Sequence, residues 1–287
     1  MKKQEPIYYL NGKFVPKSKA LISVNDLGFL RSFSVFDFLI TYNGIPFYLD
    51  THLKRLKNSA KTVGIKIPHT QKELKQLISR LLDLNKQFKE KKIHIIVTGG
   101  MSEDSVNPLG KPNVVIIVGE LIRNSPEIYL NGIKTITEDY IRNNSKAKTT
   151  DYFHAMKSLQ QARSKGADEI IYINKKEHIV YEGSKSSVFI AKNGKVKTSN
   201  HNVLPGITAK VVFKLLQKEM EIKKDKLTPE ELFDADEVFI TATTKEVVPV
   251  VQVDGKAVGL GKVGNLTKLA MNKFKQFTEN WNGRELI

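Results

Sequence analysis

The sequence predicts an α+β fold of mixed helix and sheet, arranged as two domains. Three observations lead there. Apolar runs at strand spacing alternate with helical periodicities along the chain. Several strand pairs are joined by tight Asn-Gly turns, which favours mixed sheets over a doubly wound parallel one. A length of 287 residues with 40% hydrophobic residues is enough for two ordinary cores.

Taken in order, YYLNGKFV reads as a hairpin about Asn11-Gly12, and SVFDFLITYNGIPFYL repeats the pattern about Asn43-Gly44. In LDTHLKRLKNSAKTVGI, Leu53, Leu56, Ala60 and Val63 fall at helical spacing, and Gly64 sits where a helix ends. KELKQLISRLLDLNKQF is a second amphipathic helix, and HIIVTGG and NVVIIVGEL read as buried strands. Residues 1–121 thus form a smaller N-terminal α/β domain. Pro126 and the Asn-Gly after it place a linker at 122–127, which leaves 128–287 as a larger mixed-sheet C-terminal domain. That domain opens with strand-like GIKTITEDYI, followed by a helix at about 150–165 that ends at Gly166. EIIYIN with HIVYEG, and SVFIAKNGKVKTS, read as hairpins. Helix AKVVFKLLQKEM, strand EVFITA and a helix near 265–280 complete it.

Composition narrows the chemistry. With no cysteine there are no disulfides, thiolate metal sites or thiol nucleophiles. The histidines form neither an H-x-x-x-H pair nor H-E-x-x-H, so no metal site is expected. No apolar run reaches the roughly 18 residues of a membrane helix, and the opening MKKQEPIYYLNGKF does not read as a signal peptide. The expected location is cytoplasmic, without membrane contact. The 46 Lys and Arg outnumber 30 Asp and Glu, for a net charge of +16. They are spread evenly, with no block of like charge and no nucleic-acid motif, so no nucleic-acid partner is expected.

Four segments could carry chemistry. LPGITAKVVFKLL runs a Pro-Gly turn into a helix, so the amides of Ile207 and Thr208 are unpaired donors that suit a phosphate; an ordinary loop-to-helix junction looks the same. In FITATTKEVVPV, Thr243 and Glu246 have capping-box spacing, and Thr243 and Thr244 could complete an anion cup or merely cap a turn. Lys148 lies before a helix whose cap reads as Thr149 or Thr150; it could be a Schiff-base amine or one more surface lysine. Glu182, in VYEGSKSS, ends a strand and could pair with a protonated ring nitrogen or face solvent.

The joint order of these segments resembles the class IV aminotransferases, the pyridoxal-phosphate enzymes of fold type IV. Branched-chain aminotransferase, D-amino-acid aminotransferase and aminodeoxychorismate lyase belong to that family. The resemblance runs from about residue 8 to residue 280. It is carried by NDLGFLRSFSVFDFLITYNGIPFYLDTHLKRLKNSAKTVGI, the Lys148 segment up to GADEIIYI, YEGSKSSVFI, LPGIT and DEVFITATTKEVVPVVQVDGK. It implies an amino-acid transaminase of the branched-chain or D-amino-acid type that uses pyridoxal 5'-phosphate, takes amino acids and 2-oxo acids, and forms a homodimer. A pyruvate-releasing aminodeoxychorismate lyase of folate synthesis is the alternative.

The resemblance also implies roles. Lys148 matches the Schiff-base lysine, Arg55 the arginine on the cofactor phosphate, and Glu182 the carboxylate on the pyridine nitrogen. Gly206, Ile207, Thr208, Thr243 and Thr244 match the phosphate donors, and Tyr152 lies beside a cofactor-side tyrosine. Arg31, Phe36 and Lys185 fall on the substrate side. Arg31 stands where an aromatic is usual, and Asp37 replaces a glutamate. Ser187 replaces an asparagine, and GGMSEDSVNP carries no arginine–histidine carboxylate trap. These departures spare the cofactor contacts and leave the substrate open.

Overall fold

A computed structural model describes residues 5–286. The opening four residues, part of the segment read above as no signal peptide, lie outside the described residues. The chain divides into two compact units. The first runs to Ile122 and also holds Ala147–Tyr152 and Trp281–Arg284; the second holds Arg123–Lys146, Phe153–Asn280 and the residues after Arg284. Lys148, assigned above to the C-terminal domain, therefore counts with the first unit.

The first unit contains β1 (Ile7–Leu10), β2 (Lys13–Pro16), α1 (Leu27–Arg31), β3 (Ser34–Tyr42), β4 (Ile45–Pro46), α2 (Leu49–Thr62), α3 (Gln71–Leu84), β5 (Lys91–Thr98) and β6 (Val114–Glu120). Its sheet has the order β2-β1-β6-β5-β3-β4, antiparallel throughout. The β1–β2 and β3–β4 hairpins turn at Asn11-Gly12 and Asn43-Gly44, where all four residues take positive φ, the conformation a two-residue primed turn requires. Helices α2 and α3 pack their apolar stripes on one face: Leu53, Leu56 and Ala60 with Leu74, Ile78 and Leu81 meet Val35, Leu39, Ile93, Ile95 and Val97. Strand alternation therefore turns Val35, Asp37 and Leu39 toward the helices and Phe36 and Phe38 to the other face. Buried Asn85 ties α3 to β1, accepting from Ile7 N–H (2.9 Å) and donating to the carbonyls of Ile7 (2.9 Å) and Leu81 (2.8 Å).

The second unit contains α4 (Glu127–Leu130), β7 (Ile133–Asp139), α5 (Phe153–Ser164), β8 (Glu169–Asn174), β9 (Ile179–Gly183), β10 (Ser187–Lys192), β11 (Lys195–Ser199), α6 (Ile207–Leu216), β12 (Ile222–Asp225), α7 (Pro229–Phe233), β13 (Glu237–Ala242), β14 (Glu246–Val253), β15 (Lys256–Ala257) and α8 (Asn265–Glu279). The sheet order is β12-β11-β10-β13-β14-β7-β8-β9, with β15 paired to β14. It is mixed: β11–β12, β14–β7 and β7–β8 run parallel, and the other pairs run antiparallel.

Two element boundaries differ from the sequence reading for visible reasons. Helix α5 starts at Phe153 rather than near 150, and neither threonine caps it. Thr149 bridges to Val35, and Thr150 N–H donates to the Ser34 carbonyl, so both are held extended against β3. Helix α6 starts directly after Gly206 and stops at Leu216, where the chain tightens into a turn with the Glu219 N–H on the Leu216 carbonyl, three residues back.

Asn85→Ala should cost about 2–3 kcal/mol, since it strands buried backbone groups of Ile7 and Leu81 without partners. Urea unfolding at neutral pH checks this, and a loss below about 0.5 kcal/mol, the scale of an ordinary surface substitution, would contradict it.

Candidate active site

In the first unit the site is built around Asp37, which is fully buried on the helix-facing side of β3. Arg55 of α2 meets it with a two-pronged fork: Nε donates to Oδ2 at 2.9 Å and Nη2 to Oδ1 at 2.8 Å. His52, one turn earlier on the same buried stripe, donates from Nδ1 to Oδ1 at 2.6 Å. Burial pushes the Asp37 pKa up, but the Arg55 and His52 contacts outweigh it and hold the carboxyl well below the usual range. Burial lowers the His52 pKa, against the pull of Asp37.

One turn beyond Arg55, buried Ser59 accepts from the Lys148 backbone N–H at 3.0 Å. The Lys148 carbonyl accepts from Phe36 N–H at 2.9 Å, and Thr149 bridges to Val35. The lysine backbone is thus pinned to β3 and to the arginine-bearing helix together. Its Nζ lies 4.5 Å from the centroid of the Phe36 ring, on the sheet face opposite Asp37. Tyr152 packs on that ring at 5.7 Å and His94 at 4.9 Å. Burial, with Lys148 adding to it, lowers the His94 pKa to about 4, so its imidazole is neutral at physiological pH.

In the second unit, strand pairing and a helix start converge. Ser187 of β10 pairs with Thr241 of β13, and a Cβ on Gly206 would come within 2.6 Å of Ser187 Oγ. Gly206, the N-cap of α6, supplies no side-chain hydrogen bond to the first-turn amides. Buried hydroxyls of Thr241 and Ser186 have no hydrogen-bond partner among the described residues. Unpaired amides at the positive end of a helix, beside unsatisfied hydroxyls, suit a phosphate dianion. Ile207 and Thr208 are buried in the first turn of α6, and Thr243 and Thr244 form the turn after β13. No helix follows that turn: Glu246 opens β14 opposite Ala242, so the capping box expected from Thr243 and Glu246 does not form.

Glu182 lies near the end of β9, 5% exposed. Its Oε1 accepts from Arg142 Nε at 2.9 Å and Nη2 at 2.8 Å, and its Oε2 from Leu204 N–H at 3.0 Å. A buried carboxylate fixed as an anion by a guanidinium is a fitting partner for a protonated ring nitrogen.

Within the first unit, Lys148, Phe36 and Tyr152 are thus brought together, with Arg55 and Ser59 on the helix behind β3. Arg31 ends α1, exposed, its Nη1 donating to the Leu30 carbonyl at 2.9 Å. In the second unit, Lys185 is exposed in the turn that follows Glu182. The sequence reading missed Asp37 as the anchor of Arg55, and it missed His52, Ser59, His94, Arg142 and Thr241. A signal for Asp37 was present: an acid at an inward position of an otherwise apolar strand demands a cationic partner.

The family model described as "Amino-transferase class IV" matches residues 34–253. A putative branched-chain-amino-acid aminotransferase of Methanocaldococcus jannaschii is 36% identical over 283 residues, covering 95% of this chain and 96% of the relative. A D-alanine aminotransferase of Bacillus licheniformis is 32% identical, covering 90% of this chain and 92% of the relative. Among solved structures, a T.th. branched-chain aminotransferase with pyridoxamine 5'-phosphate superposes with a TM-score of 0.90 at 27% identity, covering 98% of this chain and 96% of that one. The Escherichia coli branched-chain aminotransferase also reaches 0.90 at 26% identity, covering 98% and 97%.

The Asp37 cluster makes a pH prediction. A depressed folded-state carboxyl contributes stability that is present above the unfolded value near 4 and is lost as pH falls toward the folded value. His52 acts in the same direction, because its folded pKa is lowered and acid favours the unfolded state. Asp37→Asn should cost about 3–5 kcal/mol at pH 7 by stranding Arg55. Below pH 4 its stability should fall less steeply than the wild type's. Urea titrations at pH 7, 5 and 3.5 read both, and parallel curves would contradict the assignment.

Proposed function

The chain belongs to the class IV aminotransferases, and from that premise we propose that it moves an amino group between an amino acid and a 2-oxo acid with pyridoxal 5'-phosphate as cofactor. The observation that carries the reading is the uncapped start of α6 beside the unpartnered Thr241 hydroxyl, a cradle whose donors fit a phosphate monoester. When bound, the cofactor supplies an electron sink for the pair left as the substrate Cα–H bond breaks.

This chain's residues then divide the work. In the second unit, the amides of Ile207 and Thr208 and the hydroxyls of Thr208, Thr243 and Thr244 would hold the phosphate, with Gly206 admitting close backbone approach. In the first unit, Arg55 is the cation that the family resemblance assigns to that phosphate. Arg55 is pre-set by Asp37, so little side-chain freedom is lost when it binds. Glu182, clamped by Arg142, keeps the ring nitrogen protonated. Lys148 would hold the cofactor, and its amine would take and return the proton at the substrate Cα. Tyr152 and Phe36 wall the lysine with aromatic surface. Arg31 and Lys185 are the cations offered to substrate carboxylates.

Branched-chain amino acids and D-alanine, the substrates in the relatives' names, head the candidates. These relatives lend no support to the lyase reading. Exposed Leu21, Val24 and Phe29, together with Val106 and Leu109, crowd one edge of the first unit, where Ser102 N–H bonds the Asn25 carbonyl and Leu109 N–H the Met101 carbonyl. An apolar edge of that kind supports a homodimer. A cytoplasmic location suits enzymes that act on free amino acids.

A panel of L- and D-amino acids with 2-oxoglutarate, read by chiral chromatography of the new amino acid, tests the reaction. Transfer from L-leucine, L-valine or D-alanine is expected. Lys148→Ala should lower turnover roughly a thousandfold or more, since the proton carrier is lost. No transfer from any donor, or full turnover in Lys148→Ala, would overturn the reading.

A further inference from the structure

Strand β8 opens on Glu169, a carboxylate at 0% exposure in a strand buried along its length. Burying a carboxylate is costly unless it is fully paired, and an apolar residue of similar size would fill the space more cheaply. Its pairing is unusual in where it reaches. Oε1 accepts from the Ser184 hydroxyl and from Ile170 N–H (3.0 Å), and Oε2 accepts from the Lys245 ammonium at 3.0 Å. Ser184 stands two residues beyond Glu182, in the turn that leaves β9, and its N–H also donates to the Ile170 carbonyl at 3.2 Å. Lys245 is the last residue of the turn after β13, directly following Thr243 and Thr244.

We propose that Glu169 is a positioning residue that staples the Glu182 turn to the Thr243–Thr244 turn. Through this staple it fixes the spacing between the ring-nitrogen contact and the phosphate contact of the cofactor. The inference rests on the functional reading above and adds a device to it. A rigid ligand gripped at both ends gains from the second grip in proportion to the effective concentration at which that grip is presented. A staple raises that concentration by removing relative motion of the two turns before the ligand arrives. A ligand gripped at one end gains nothing from it. Loosening the staple should therefore weaken pyridoxal 5'-phosphate selectively and spare inorganic phosphate, which occupies one turn only.

The test uses four variants of the full chain. Glu169→Gln keeps the shape and removes the charge. Lys245→Met removes one tie from a partly exposed side chain. The double variant removes the staple without stranding a charge. Dissociation constants for pyridoxal 5'-phosphate are measured on apoprotein by absorbance titration, and inorganic phosphate is titrated as a competitor. The expected result is a rise of about tenfold for the cofactor in each variant, with the phosphate inhibition constant within twofold of wild type. Lys245→Arg, which restores the cation, should return the cofactor constant to near the wild-type value. Unchanged cofactor affinity in the double variant would overturn the proposal, and so would an equal loss for cofactor and phosphate. If Glu169→Gln does not fold, Lys245→Met and its arginine counterpart decide. Failure of wild-type protein to bind the cofactor would instead sink the functional reading itself.

Discussion

The buried carboxylate of Asp37 is the interaction on which the first unit's chemistry depends. It sits inside an apolar layer, where an unpaired charge could not persist, and so it dictates what α2 must present: His52 and, one turn on, Arg55. Committing Nε and Nη2 to Asp37 fixes the guanidinium plane. One further turn along the same stripe, Ser59 takes the Lys148 amide, while β3 takes the Lys148 carbonyl through Phe36. The arginine and the lysine are therefore set by one helix and one strand locked together through Asp37. Strand alternation then puts the Lys148 amine on the opposite face, against Phe36, away from the carboxylate that would otherwise capture it.

The second unit solves a different problem, which is how to keep polar groups ready without letting them satisfy one another. Gly206 leaves the first turn of α6 uncapped, and the Thr241 hydroxyl is buried beside the paired strand ends without a partner. Each unsatisfied buried group costs about 1–3 kcal/mol, a cost that a bound anion would remove. Glu182 shows the opposite strategy, with Arg142 and the Leu204 amide fixing its charge and direction in advance. Glu169 extends that economy to the two turns themselves.

Features set by local physics were legible in the sequence. Asn-Gly pairs forecast the hairpins because only such residues take positive φ cheaply, and Asn11, Asn43 and Asn193 do so with the glycines that follow them. Helical periodicity forecast α2 and α3. The same local grammar misled where distant contacts ruled. Thr243 and Glu246 have the spacing of the real capping boxes at Thr70–Glu73 and Thr228–Glu231, yet they lie in a hairpin turn. Thr149 and Thr150 look like helix caps but are held by β3, more than a hundred residues earlier in the chain. Asp37 read as a mere replacement of glutamate: its apolar neighbours demand a cationic partner, but only the helix–sheet packing identifies that partner as Arg55. Glu169 and Arg142 were invisible for the same reason: each takes its role from partners brought in by sheet topology.

The most direct measurement is to locate the covalent attachment point of the cofactor. Protein loaded with pyridoxal 5'-phosphate is reduced with borohydride, digested and mapped by tandem mass spectrometry. A phosphopyridoxyl group is expected on Lys148, in near-stoichiometric yield and far above any of the chain's other lysines. Attachment at a different lysine, or scattered substoichiometric labelling with none preferred, would contradict it.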